Sequence, residues 1–504
     1  MRALGLQQSY FGGVVGDEPN SVVAARNILA SGGNAADAAV ALYFTSAVTY
    51  PAGAALGGGG ACLVYDPVEN RVEALEFPAT APNAVRAGAT VNNAVPAAPR
   101  GMYALQARYG RLQWRQLLGQ AEQMARIGHP ISRALARDIA LVAGPLFADP
   151  VMAKLFARPD GTPLQEGDYL VQLDLAALLT TIRTRGPGTF YNGDLARKLV
   201  EATQAAGGSL TMEDLREYRP VWRDSIWLRY EFERMHVVPP PGAGGVILLQ
   251  MWNMLIDGGR YDGADDDERG HLLAAIGMRA FADRGTTMPI AEQISEDRAE
   301  ELMADYRPDT RTPAGSLPTP PIAYRENPAG SSFVVVDGDG GAVACTITLN
   351  SLFGIGRMAA GTGIILAAAP SPAQRETSSQ TPVLLVSHDT KQVLFAGAAS
   401  GGAAAPSALA EVMARTLIDG EPLDVAIQTP RIHHGGFPDV VIYETTEQGA
   451  RLQGLIRRGY KVLGVPELGR VNAISCLAEY KAGLEGCQIG NDRRGFGIGT
   501  VANY

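Results

Sequence analysis

Cysteine is scarce in this sequence: four residues in 504, at Cys62, Cys345, Cys476 and Cys487, with no C-x-x-C spacing. That spacing excludes a clustered-thiol zinc module and a dithiol redox motif. Set in apolar or glycine-rich surroundings, the four read as reduced, mostly buried thiols of a cytoplasmic protein. Histidine is also sparse, with 6 residues, and the His433-His434 pair has no third ligand near it, so no metal is expected. A basic stripe is missing. With a net charge of −9 and a pI near 5.3, nucleic acid is not an expected partner. No apolar run reaches membrane-span length, and Met1–Tyr10 carries no apolar core of signal-peptide length, so neither a membrane nor export is expected. The acidic run Asp265–Glu268 lacks the spaced oxygen ligands and turn glycine of a calcium loop and reads as a solvated helix start. No cofactor is implied.

What is present is an ordinary globular balance, 46% hydrophobic and 19% charged, with length enough for a large core. Pro19–Ala41 reads as a helix broken at Gly32-Gly33, and Asn34–Ala41 is rich in small residues. Leu56-Gly57-Gly58-Gly59-Gly60 leads into a short strand, Ala61–Tyr65, with Arg71–Phe77 as its partner. Gly101–Gly128 and Ser132–Leu146 read as helices, and the pattern stays mostly helical to about residue 300. Residues 305–330 then hold so many prolines that they read as an extended, exposed linker. Beyond it come strands at Ser332–Val336, Ala342–Thr348, Val383–Ser387 and Val393–Ala396. Helices follow at about Ser407–Asp419 and Ala450–Arg458, then strands near Val440–Tyr443 and Ala473–Glu479. Such an order predicts layered sheets covered by helices.

Six motifs stand in order: Ser31–Val40, Leu56–Tyr65, Pro239–Gly245, Val336–Gly340, Leu349–Gly354, and Gln428–Arg431 followed by His433-His434. Together they resemble the γ-glutamyltranspeptidases of the Ntn-hydrolase superfamily over nearly the whole chain. The resemblance implies an α+β fold, a four-layer αββα sandwich. It also implies a large-subunit-like region, 1–329, and a small-subunit-like catalytic region, 330–504, which together form one αββα unit. In that family a precursor cuts itself ahead of a hydroxyl residue at the head of a buried strand. The hydroxyl is then the nucleophile and the freed α-amine its base. Here the cut would fall near residue 330. By the same resemblance, Thr348 and Asn350 contact substrate and support the nucleophile, Gly401 and Gly402 form the oxyanion hole, and Ser378 and Ser379 bind the substrate α-carboxylate.

Three positions depart from the pattern. Counted back without gaps from Val335-Val336-Asp337, the nucleophile position falls on Gly330, which has no side chain. Ser331 is the candidate nucleophile one residue later, and alternation along a strand turns it to the opposite face unless the turn slips. Pro78 stands where the family has the arginine that grips the α-carboxylate; Arg86 and Arg100 are the cations that could swing in, with surface or structural roles expected of both. Ala367–Gln374 replaces the run whose aspartate holds the α-amine. Each lost charge-assisted contact is worth roughly 1.5–3 kcal/mol, so standard γ-glutamyl transfer or hydrolysis is not expected.

Two functions remain. In the first, the chain is uncut and serves as a structural or regulatory homologue, with a protein partner or a second copy of itself. Gly330 and the combined loss of three functional groups favour it. In the second, it is an amidohydrolase or acylase that uses Ser331 on a small, less polar acyl amide. The retained Asn350, Gly401 and Gly402 favour that.

Overall fold

The computed structural model describes residues 10–284, 286–318, 329–370, 380–477 and 486–503. Two antiparallel sheets stack face to face. The first takes β1 (Tyr10–Gly16), β2 (Gly59–Asp66), β3 (Arg71–Phe77), β4 (Val221–Asp224), β7 (Ser331–Asp337), β8 (Ala342–Thr348) and β13 (Ile498–Asn503). Their order across the sheet is β13-β1-β7-β8-β2-β3-β4, which puts β7 in the interior. The second takes β5 (Ile226–Tyr230), β6 (Glu233–Val237), β9 (Thr381–Ser387), β10 (Gln392–Ser400), β11 (Arg470–Ser475) and β12 (Gln488–Gly490), in the order β12-β11-β10-β9-β6-β5. Each sheet draws strands from both sides of residue 330, so neither half has a complete sheet of its own.

Alternation along the strands sorts the core into three slabs. Phe333, Val335, Val343, Cys345 and Ile347 face outward onto α1 (Pro19–Ala30) and α2 (Ala35–Thr49). Val334, Val336, Ala342 and Ala344 face inward and meet Leu384, Val386, Ala396, Ala398 and Ile474 of the second sheet. The outer face of that sheet packs on α3 (Ala243–Ile256), α4 (Asp266–Ala282) and α5 (Ala404–Met413). The result is the αββα sandwich.

The small-residue segment after Gly33 explains itself here. All fifteen residues of α2 are buried, which a helix tolerates only if it is apolar or small all round. Asn34 and Asp37 close its N-terminus as a reciprocal capping box. The acidic run is a helix start, as expected: Asp265 caps α4 by accepting from Glu268 N at 2.9 Å. His433 and His434 are buried in separate hydrogen bonds to Ser407 and Asp439, and no metal-holding cluster occurs among the described residues.

Three expectations are corrected. The cysteines are paired, not reduced. Cys62 and Cys345 lie directly opposite each other on β2 and β8 and form a disulfide, and Cys476–Cys487 form a second. A separation of 283 residues hid the first pair, because only the strand register brings it together. The expectation of a reducing cytoplasm loses its main support with it. No helix of the described residues is long and apolar enough to cross a membrane. Residues 221–237, read as part of a helical stretch, form β4, β5 and β6; exposed Val221 and Trp227 had blurred their alternation. Gly101–Gly128 is three helices, Ala98–Tyr109, Trp114–Leu117 and Gly119–Ile127, interrupted first at Gly110.

Candidate functional site

The register of β7 decides the geometry. Ser331 pairs with Ile347 and Ser332 with Thr346. Ser331 therefore lies on the face of Phe333 and Val335, toward the helix layer, and it is buried. Gly330 lies on the inter-sheet face. A Cβ built on it would sit 3.1 Å from Ile347 O, 3.7 Å from Ser400 Cβ and 3.9 Å from Thr348 Cβ. The position that faces Thr348 and the second sheet is thus the one without a side chain. The next residue on that face, Ser332, is fully buried.

The preceding carbonyl is held. Thr348 Oγ1 donates to Ala329 O at 3.1 Å and accepts from Asn350 N at 2.9 Å. The Asn350 side chain reaches backbone on both flanks: Nδ2 donates to Ala79 O at 3.2 Å and to Ala368 O at 2.9 Å. Asn350 thereby ties down the two segments that depart from the family pattern, the one after Pro78 and the one at Ala367–Ala369. The second is fixed further by Ala94 N donating to Ala367 O at 2.8 Å and Ala369 N to Asn92 O at 2.9 Å. The glycine run ahead of β2 is what lets this backbone close up. Cβ atoms on Gly58 and Gly60 would come within 2.4 Å of Thr348 O and 2.3 Å of Thr346 O.

Gly401 and Gly402 follow β10 with φ of 117° and 68°, and a Cβ on Gly401 would collide with Gly469 Cα at 2.6 Å. Glycine is required there by conformation and by contact. Behind this turn, buried Arg431 donates to Leu468 O at 3.0 Å, to Gly469 O at 2.9 Å and to Asp492 at 2.6 Å. The Gln428–Arg431 motif thus has a physical role, since it anchors the backbone on which Gly401 rests. Ser378 and Ser379 lie outside the described residues. Arg86 and Arg100 are committed elsewhere, Arg86 to Gly208 O and Gln204 O, Arg100 to Leu215 O and to the face of Tyr191.

Sequence reasoning missed a polar network under Gly330. Arg470 is paired with Ser400 across β10 and β11. Its guanidinium donates to Gly330 O at 2.9 Å and to Tyr50 OH at 3.2 Å, and Tyr50 OH donates to Asp138 at 2.6 Å. Burial works against the charge on Arg470, but Tyr50, Asp17 and Asp138 outweigh it and hold its pKa above the ordinary arginine value. Burial, with Asp138 adding to it against Arg470, likewise keeps Tyr50 protonated. Asn472, two residues on and facing the same way, donates to Asp17 at 2.7 Å and to Ser332 Oγ at 3.0 Å, while Asp17 accepts from Ser332 N at 2.9 Å. Among the described residues, three buried polar atoms of this inter-sheet end have no partner: Ser400 Oγ, Thr346 Oγ1 and Asn472 Oδ1. The polar alternation of Arg470 and Asn472 was the available signal. It was lost because the strand was expected to start three residues later, at Ala473.

Comparison with known proteins agrees with this architecture. Among curated proteins, the chain is 30% identical to Glutathione hydrolase 3 of Arabidopsis thaliana over 480 residues, 87% of this chain and 75% of that protein. It is 32% identical to the Acylase ACY 1 proenzyme of Pseudomonas sp. (strain SE83) over 517 residues, 92% of this chain and 89% of that one. Among solved structures, cephalosporin acylase from Bacillus halodurans superposes with a TM-score of 0.83 at 23% identity, covering 99% of this chain and 97% of its own, a likeness of fold. A sequence model described as Gamma-glutamyltranspeptidase matches residues 21–498, and the chain belongs to that family.

Proposed function

We propose that this family member stays a single chain and does not transfer or hydrolyse γ-glutamyl groups, acting as a structural or regulatory homologue that binds a partner or a second copy. The observation that carries the reading is the register of β7, with Gly330 between Thr348 and Ser400 and Ser331 on the opposite face. A nucleophile must lie within reach of both its target and an oxyanion site. Here the oxyanion-type glycines and the Ser331 hydroxyl belong to different slabs of the core. Pro78 adds support, because a ring without even an N–H cannot replace a bidentate guanidinium.

A chromogenic γ-glutamyl amide assay tests this, together with intact-mass measurement on reduced protein after long incubation. The expected results are no turnover and one species of full length. Robust turnover abolished by Asn350→Ala would overturn the reading. So would a clean fragment beginning at Ser331 that disappears in Ser331→Ala.

The second reading, an acylase acting on a less polar amide, is favoured by the 32% identity to the ACY 1 acylase and by the apolar run Ala367–Pro370 in place of an acidic lid. It requires Ser331 to exchange faces, and the Ser331-fragment experiment decides it.

A further inference from the structure

We infer that β5, the free edge of the second sheet, is where two copies of this chain join, antiparallel and two-fold about Leu228. The inference rests on the reading of a chain that acts by binding a partner or a second copy, and it names the second copy and the surface. β5 stands last in the order β12-β11-β10-β9-β6-β5, with a strand on one side only. It pairs with β6 from Ile226↔Val237 to Tyr230↔Glu233 without a bulge, around the turn Glu231-Phe232. The pair that closes a two-residue hairpin turn is hydrogen-bonded, and bonded pairs alternate along the strand. Ile226, Leu228 and Tyr230 therefore bond to β6, while the N–H and C=O of Trp227 and Arg229 point away from the sheet. Among the described residues, neither has a backbone bond to a segment outside the sheet.

Free edges are normally blunted by proline, lysine or a bulge. β5, with the sequence Ile-Trp-Leu-Arg-Tyr, has none of these, and Trp227 on it is 44% exposed and Phe232 at its turn 82% exposed. The strand is also complementary to itself. Antiparallel pairing centred on Leu228 sets Trp227 opposite Arg229 of the second copy, and Arg229 opposite Trp227 of the second copy. These are the residues whose backbone groups point outward, so each pair can exchange both backbone bonds. Side chains directly opposite each other share a face, so each guanidinium meets an indole. Within the chain, Arg229 has a like charge, Arg234, opposite it and donates Nε to Glu231 O at 2.8 Å. Arg234 lies 4.4 Å from the Trp227 ring centroid, and the ring keeps its exposed part for a second cation. On the other face, Leu228 meets Leu228 and Ile226 meets Tyr230. A register centred on Arg229 would oppose two guanidiniums, and one centred on Trp227 would draw on Ser225, which lies outside the strand. The self-complementary register is the kind of contact that closes a two-fold dimer.

The experiment is sedimentation equilibrium of the full-length protein over a concentration series, with thermal melting of each variant. The mean mass is expected to rise from 53.1 kDa toward twice that value. Trp227→Lys sets a like charge against Arg229 in both pairs and should weaken dimerisation at least about tenfold. Trp227→Glu sets an opposite charge there and should dimerise like the parent; both variants lose the stacking on Arg234 alike. Arg229→Pro removes an N–H that the β6 ladder does not use, so it should melt close to the parent and stay a monomer. Where Arg229→Pro fails to fold, the contrast between Trp227→Lys and Trp227→Glu, which leaves the backbone untouched, decides. A monomer at every concentration, a dimer indifferent to Trp227→Lys and Arg229→Pro, or equal loss in Trp227→Lys and Trp227→Glu would each overturn the inference. A monomer that instead takes up an added oligo-glutamate peptide at this edge would assign the surface to an acidic partner and overturn it as well. Self-cleavage or γ-glutamyl turnover would overturn the parent reading instead, and the mass and turnover assays given above test that separately.

Discussion

Restoring a hydroxyl at residue 330 is the sharpest perturbation this structure offers. Gly330→Thr places a Cβ at 3.7 Å from Ser400 and 3.9 Å from Thr348, ordinary contacts, and 3.1 Å from Ile347 O, a few tenths of an ångström tight. The crowding costs about 1–3 kcal/mol, as small-to-large changes in packed sites do. Removing a glycine from the unfolded chain returns about 0.4–1 kcal/mol. The net is a destabilisation of roughly 0–2.5 kcal/mol, a shift of a few degrees in melting temperature, so the variant should fold. The carbonyl that the new hydroxyl would attack, Ala329 O, already accepts from Thr348 Oγ1 at 3.1 Å and is thereby polarised. The expected outcome is slow cleavage between residues 329 and 330, with the introduced threonine found by sequencing as the new N-terminus. The two pieces should separate on a denaturing gel only after reduction, because the Cys62–Cys345 disulfide joins them. A folded Gly330→Thr protein that stays intact for days would refute the idea that register alone silences this position. Cleavage ahead of Ser331 instead would refute the register itself.

Two further outcomes follow from the buried groups. Burial, joined by His388 and Arg234 for His236 and by His434 and Arg284 for His433, lowers both imidazoles to about 3, and burial lowers His271 to about 4. Because the unfolded chain takes up these protons near pH 6.5 and the folded one does not, their stability is complete above pH 6.5 and is lost as pH falls toward 3–4. At pH 5 the loss is about 2 kcal/mol per histidine, and urea midpoints equal at pH 7.5 and 5 would contradict it. Oxidised protein should weigh four hydrogens less than reduced protein. Cys345→Ala should cost about 2–5 kcal/mol for a tie spanning 283 residues, and an unchanged denaturation midpoint would argue against the bond.

Much of the fold was legible because its signals are local. The strands expected at Ser332–Val336 and Ala342–Thr348 and the glycine run before β2 each rest on signals within a few residues, and each stands where expected. What failed depended on distance. The Cys62–Cys345 pairing exists only in the register of β8 on β2. Strands β4 to β6 are short, and one face of β4 and β5 is partly exposed, so they lacked clean alternation.

The site was legible in what it lacks and illegible in what it contains. Gly330 could be placed by counting because β7 is a regular strand, and the period of two turns Ser331 to the opposite face as long as the turn before it does not slip. Arg470 could not be found that way. Its surroundings are remote in sequence: Tyr50, Asp138 and Asp17 arrive from three other elements, 420, 332 and 453 residues away along the chain. A buried arginine at the head of a strand contradicts local preference, since such residues are almost never buried unless paired. Conflicts of this kind are retained where a site needs them. Arg470 also holds the Gly330 carbonyl from the second sheet, so it fixes the backbone that faces Thr348 whether or not a side chain stands there.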